Sequence, residues 1–288
     1  MNYEDSGTPT EISQTFRELV VQRYALAMPE RLLGSPASDG TLDELLAHKS
    51  VRSFSDRPLP EGTIEALVAA AQSASTSSNL QTWSVVAVQD PERKSQAATW
   101  CANQEFIRQA PLFFVFIADL ARLTWVCEQE GSPGEGLDYF EMFLMAALDA
   151  TLAAQNAAVA AEKLGLGICC VGGARNHPRE LAELLRLPPR TIGLFGMAVG
   201  WPAEGLTTTV KPRLPQPGLL HYETYGEAAW GDQVAAYNAI MNAFFEEQGM
   251  TDHPVWSKGS AQRVASAKSL SGRHVFRQIL EERGFGLK

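Results

Sequence analysis

Apolar positions recur at helical spacing near the start of the chain. Ile12, Phe16, Leu19, Val20 and Tyr24 predict an amphipathic helix over residues 11–27. Pro and Gly in "LLGSPASDG" break the pattern. It resumes as a short helix over 41–47, with Thr41 as N-cap and Glu44 three residues on. Pro58 and Pro60 open another helix through Ser73, and the polar "SASTSSNLQ" separates it from a strand, "WSVVAVQD". A helix around 91–102 leads into "PLFFVFIAD", a buried strand, and "EQEGSPGEG" (128–136) reads as an exposed linker. Residues 137–164 carry the longest helical signal. Its longest stretch without a charge, Ala150 to Ala161, rises only about 18 Å as a helix, against roughly 30 Å of bilayer hydrocarbon. The expectation is therefore not a membrane span but a helix packed closely on several sides, as at the centre of a domain or a dimer. Gly165 and Gly167 stop it; "ICCVGG" follows as a buried strand, "PRELAELLRL" as a helix and "TIGLFGMAVGW" as another strand. After the Pro-rich loop "PAEGLTTTVKPRLPQPG", helices account for much of 229–248 and 271–284. Few strands, many helices and no regular βαβ alternation favour an α+β fold.

Bulk properties narrow the function. The 288 residues, 45% hydrophobic and 20% charged, suit one large or two small globular domains. A net charge of −9 and a pI near 5.1 argue against a nucleic-acid partner. The opening "MNYEDSGTPTEISQ" is acidic and lacks an apolar core, so no secretory signal is read there. Cys101, Cys127, Cys169 and Cys170 show no metal-site spacing and read as reduced thiols, consistent with the cytoplasm.

Three stretches carry candidate chemistry. In "HKSVRSF", His48, Ser50 and Arg52 are spaced by two, so an extended segment points them to one side, where they suit a phosphate. Val171, Gly172 and Gly173 end a buried strand, where bare backbone lets a flat ligand lie close. Lys211 and Arg213 flank a stiffening Pro212 and could share one phosphate with the first stretch. Each has a plainer reading as well: a wet loop, a tight turn, solvent-facing charge. No P-loop, dinucleotide fingerprint, zinc-protease or nucleophile-elbow motif is present, and His177, His221, His253 and His274 are isolated. A phosphate seat and a backbone shelf without catalytic side chains point to a bound cofactor that brings its own chemistry.

With "SASTSSNLQTWSVVAVQD", "ANQEFIRQAPLFFVFIADLAR", "LFGMAVGWP" and "KPRLP" in order, these stretches resemble the oxygen-insensitive NADPH nitroreductase and flavin reductase family, over about residues 44 to 225. The resemblance implies a mixed, mostly antiparallel sheet wrapped by helices in a homodimer. It implies an FMN that carries hydride from NAD(P)H to nitroaromatics, quinones or flavins by a ping-pong mechanism. It divides the chain into a helical extension over 1–40, an FMN-binding core over 41–225 and a helical tail over 226–288. His48, Lys49 and Ser50, with Lys211 and Arg213, would hold the phosphate end. Arg52 would reach the pyrimidine edge of the flavin, and Gln104 the ring or its ribityl chain. Backbone of Cys170, Val171, Gly172 and Gly173 would pass beside the hydride-accepting nitrogen. Thr76, Ser77 and Ser78 would come from the second subunit. No metal, nucleic acid or membrane is implied.

Two departures stand out. The extension before residue 40 has no assigned chemistry beyond a helix against the partner subunit. Where NADPH-preferring relatives carry an Arg-rich run around a Trp-Ser pair, this chain reads "GMTDHPVWSKGSAQR", so NADPH and NADH both stay open as donors. Alternatives are another FMN chemistry on the same fold, such as dehalogenation or flavin fragmentation, and a non-catalytic flavin binder.

Overall fold

An unbroken apolar run can sit in a strand only where both faces are covered. Leu112–Asp119 is such a run, with every residue but the last buried. The computed structural model describes residues 14–25, 40–226, 230–250 and 252–288. Among these are eleven α-helices: α1 (Gln14–Tyr24), α2 (Thr41–Ala47), α3 (Thr63–Gln72), α4 (Pro91–Trp100), α5 (Glu105–Gln109), α6 (Ala121–Gln129), α7 (Phe140–Lys163), α8 (Pro178–Leu184), α9 (Trp230–Glu247), α10 (Trp256–Arg263) and α11 (Phe276–Glu282). The strands are β1 (Trp83–Val88), β2 (Leu112–Asp119), β3 (Gly167–Val171) and β4 (Thr191–Gly200).

The chain forms two compact units, each discontinuous in sequence: residues to 49 with 209–265, and 50–208 with 266–288. The first holds α1, α2, α9 and α10. In α1, Phe16, Val20 and Arg23 are buried and lie on one helical face; Ile12 and the ends of the 11–27 prediction fall outside the described residues.

The second unit holds the sheet, in the order β1-β2-β4-β3 with all three pairings antiparallel. Among the described residues the parallel component is one isolated bridge, Ser50 to Ile168. Alternation along β2 divides the core. Phe113, Val115 and Ile117 pack with Ala97, Ala98 and Ile107 of α4 and α5. Leu112, Phe114 and Phe116 pack with Leu67 and Ala71 of α3 and with Ala153, Ala157 and Ala161 of α7. The small side chains on that face of α7 let it lie close to the sheet. Gly196 on β4 is needed for a similar reason: a Cβ there would come within 2.2 Å of the Phe113 ring. A third cluster joins Ala118, Leu120, Ile192 and Ala150 to Ile279, Leu280 and Phe285 of the C-terminal segment.

By length and composition α7 could cross a membrane. Its inner face is instead buried against sheet and α3, and buried Asp149 at its middle accepts hydrogen bonds from a loop.

Several boundaries differ from the sequence reading. Gly40, in left-handed conformation with φ 92°, is the N-cap of α2, and Thr41 is already inside the helix. Helix α3 starts at Thr63 after another left-handed glycine, Gly62, while Pro60 only accepts the Thr63 amide in the preceding turn. Glu128 and Gln129 of the expected linker end α6. None of α5, α6 and α10 was expected.

Candidate functional site

The second unit builds a shelf at the end of the edge strand β3. Segment 50–55 docks along it: the Val51 amide donates to the Ile168 carbonyl at 2.8 Å, and the Ser55 amide to the Trp201 carbonyl at 2.9 Å. This needs Gly167, where a Cβ would stand 2.7 Å from the Val51 Cβ. Val51 turns inward and is buried, which leaves Arg52 exposed on the outer side. Burial raises the pKa of the Cys169 thiol, next to Cys170, and the positive charge of Arg52 partly offsets it.

Beyond β3 the chain turns through a short 3-10 helix, Gly172–Arg175. Gly173 is packed so tightly that a Cβ would lie 2.7 Å from the Cys101 carbonyl oxygen and 3.1 Å from Gln104 Nε2. Gln104 donates to that same carbonyl at 2.7 Å, so its amide is fixed beside the shelf. Over Gly172 the space is bounded by two guanidinium groups: a Cβ there would stand 3.6 Å from Arg175 Nη2 and 3.7 Å from Arg273 Nη1. Arg175 also donates to the Leu194 carbonyl, and burial pulls its pKa below the ordinary value. Arg273 donates to Asn176 Oδ1 at 2.9 Å. Bare backbone flanked by guanidinium groups can receive a flat, electron-rich or anionic ligand. Sequence reasoning missed Arg175 and Arg273. The first adjoins "VGGA" and was legible there; the second reaches Asn176 from 97 positions away and was not.

Thr76, Ser77 and Ser78 are held from below. Asp149, 3% exposed, accepts from Thr76 Oγ1 at 2.6 Å, the Ser77 amide at 3.1 Å, and Thr82 Oγ1 and amide at 2.9 and 3.1 Å. These bonds secure a loop in which Ser78, Asn79 and Gln81 all have positive φ, a conformation that costs energy for side chains of this kind.

In the first unit, Lys49, Lys211 and Arg213 are exposed and His48 is half-buried, while Pro212 between the two cations is buried. The alternation out-in-out makes the Lys-Pro-Arg stretch a rigid two-cation presentation.

Burial disfavours the thiolate form of Cys101, Cys169 and Cys170. Burial pushes Cys101 up to about 12, and Cys170, with Cys169 and Glu162 adding to burial, to about 11. Although Cys170 reaches solvent, its alkylation by iodoacetamide is expected to keep accelerating from about pH 7 to about pH 10. Peptide mass spectrometry showing a plateau below about pH 9 would contradict this. Among the described residues no cluster of His, Cys, Asp or Glu could hold a metal ion.

Comparison with known proteins gives these features a context. The model described as "Nitroreductase family" matches residues 45–201, and that described as "Nitroreductase family, C-terminal domain" matches 211–288. An FMN reductase (NADPH) from Bacillus subtilis is 43% identical over 188 residues, 65% of this chain and 75% of that one. An NADPH-dependent oxidoreductase from Staphylococcus epidermidis is 35% identical over 248 residues, 85% of this chain and 96% of that one. The solved structure of B. megaterium NfrA1 superimposes with a TM-score of 0.81 at 36% identity, covering 86% of this chain and 100% of that chain.

Proposed function

The chain belongs to the nitroreductase family, and from that premise we propose an FMN-dependent oxidoreductase that draws electrons from NADPH or NADH. Its acceptors are nitroaromatics, quinones or flavins, served in ping-pong fashion. When bound, FMN takes up a hydride from the nicotinamide and hands electrons to the acceptor.

The residues fit such a group. The observation that carries the reading is the glycine shelf: Gly173 has no room for a side chain, and Gly172 lies under the guanidinium groups of Arg175 and Arg273. A flat ring can approach that backbone, and the backbone of Cys170 to Gly173 lines it. Exposed Arg52 offers a positive charge to the pyrimidine edge, favouring the more negative form of the ring. Gln104 holds its amide in place for the ring or ribityl chain. Ser50 supplies a hydroxyl, and in the first unit His48, Lys49, Lys211 and Arg213 supply the donors a phosphate needs.

A homodimer completes the reading. Leu144, Leu148 and Leu152, with Tyr139 and Phe140, stand exposed along the outer face of α7. An apolar stripe of this kind suits a second copy, in which Thr76, Ser77 and Ser78 reach the partner's flavin. The four free thiols accord with a reducing, cytoplasmic setting.

The purified protein is expected to be yellow, with about one FMN per chain, and to bleach when NADPH or NADH is added without oxygen. Arg213→Ala is expected to weaken FMN retention by roughly 1.5–3 kcal/mol, the range for charged hydrogen bonds. Protein that takes up no FMN at micromolar concentration, or holds FMN that neither nucleotide reduces, would end this reading.

A further inference from the structure

The face of α1 that packs inward is apolar except at one position. Arg23 is 5% exposed, and a buried guanidinium is costly unless its donors are satisfied. Here they are satisfied by main-chain carbonyls from two separate segments. Nη2 donates to the Leu46 and His48 carbonyls at 2.6 and 2.9 Å. Nη1 donates to the Lys211 carbonyl at 2.9 Å. The Arg23 carbonyl in turn accepts the Arg213 amide at 2.9 Å. One residue therefore grips both backbone stretches that carry His48, Lys211 and Arg213. The Lys-Pro-Arg stretch is fixed from a second side as well, because the Tyr237 hydroxyl of α9 donates to the Pro212 carbonyl at 2.9 Å.

We infer that Arg23 is a positioning residue for the phosphate end of FMN, locking segment 46–48 to segment 211–213 so that His48, Lys211 and Arg213 present one arrangement. The inference rests on the phosphate reading above and adds a residue that precedes the family match, which begins at residue 45. The planar guanidinium fork spans carbonyls of two segments with fixed geometry; a lysine ammonium is a point charge on a flexible stem and reproduces those contacts only in part. The buried charge also bears on binding directly. Burial pushes the Tyr237 phenol up, while the charges of Arg213 and Arg23 pull it back, so both cations act on one small region. A phosphate relieves the repulsion among these like charges, and preorganised donors bind it without an ordering cost.

The test compares FMN with riboflavin, which lacks the phosphate, by flavin fluorescence quenching on flavin-stripped protein. Wild type is expected to prefer FMN strongly, Arg23→Met to lose at least about tenfold of that preference, and Arg23→Lys to recover only part of it. Riboflavin affinity should stay level in both variants. Val20→Ala, which thins the packing of the same helix, should lower the melting temperature and leave the preference unchanged. If the Met variant does not fold, Arg23→Lys decides the matter. A wild type without preference for FMN, or one whose preference survives Arg213→Ala, overturns the phosphate reading itself. A preference that Arg213→Ala erodes and the Arg23 variants leave intact overturns only the role of Arg23. Loss of FMN and riboflavin binding together would show a purely structural residue.

Discussion

Asp149→Ala is expected to lower the unfolding free energy by about 3–5 kcal/mol. The carboxylate is buried in the middle of α7 and accepts four hydrogen bonds, two of them from Thr82, which is itself fully buried. Its removal strands an amide and a hydroxyl away from water, each at about 1–3 kcal/mol, while the Thr76 and Ser77 donors sit nearer the surface and can turn to solvent. The loop would also lose the restraint that keeps Ser78, Asn79 and Gln81 at positive φ. Asp149→Asn keeps one acceptor oxygen and should cost about half as much. Urea titration measures both, and amide hydrogen exchange at Thr82 reports the loop separately. An Ala variant within about 0.5 kcal/mol of wild type would show that Asp149 does not hold this loop.

Two variants that are each inactive are expected to regain activity when mixed into one dimer. Arg52→Ala removes the charge proposed to lie at the ring, and Ser78→Trp blocks the loop proposed to reach the partner's flavin. In a two-fold dimer one site then carries both lesions and the other carries neither, so activity should return to about half that of wild type. Tagged co-purification establishes that mixed dimers form. Mixed dimers that stay inactive, or a fully active monomer, would refute a shared site.

What could be read from the sequence was whatever repeats at short range. The apolar run of β2 and the alanine-rich face of α7 are local patterns with burial behind them, and both became core. Helices α5, α6 and α10 were missed: α5 has only five residues, too few to show a period, and α6 and α10 bury no residue, so no core contact sets them apart from loop. Gly172, Gly173 and Gln104 were legible because each lies within a short motif. Arg23 and Asp149 were not. Arg23 occupies a core position with a polar residue whose partners lie as far as 188 positions away, and the partners of Asp149 lie 67 to 73 positions away. Such long-range satisfaction of a buried charge leaves no periodic trace.

The third core cluster has a consequence for synthesis. Ala118, Leu120 and Ile192 meet their cover, Ile279, Leu280 and Phe285, only at the far end of the chain. A ribosome that has finished β4 must still add roughly 80 residues before it reaches Ile279, which takes about 4–16 s. Throughout that interval the sheet can already be paired while one of its apolar ends faces water. A nascent chain in this state offers a sticky patch to chaperones and to its neighbours on the same messenger, and it closes once Ile279, Leu280 and Phe285 have been made.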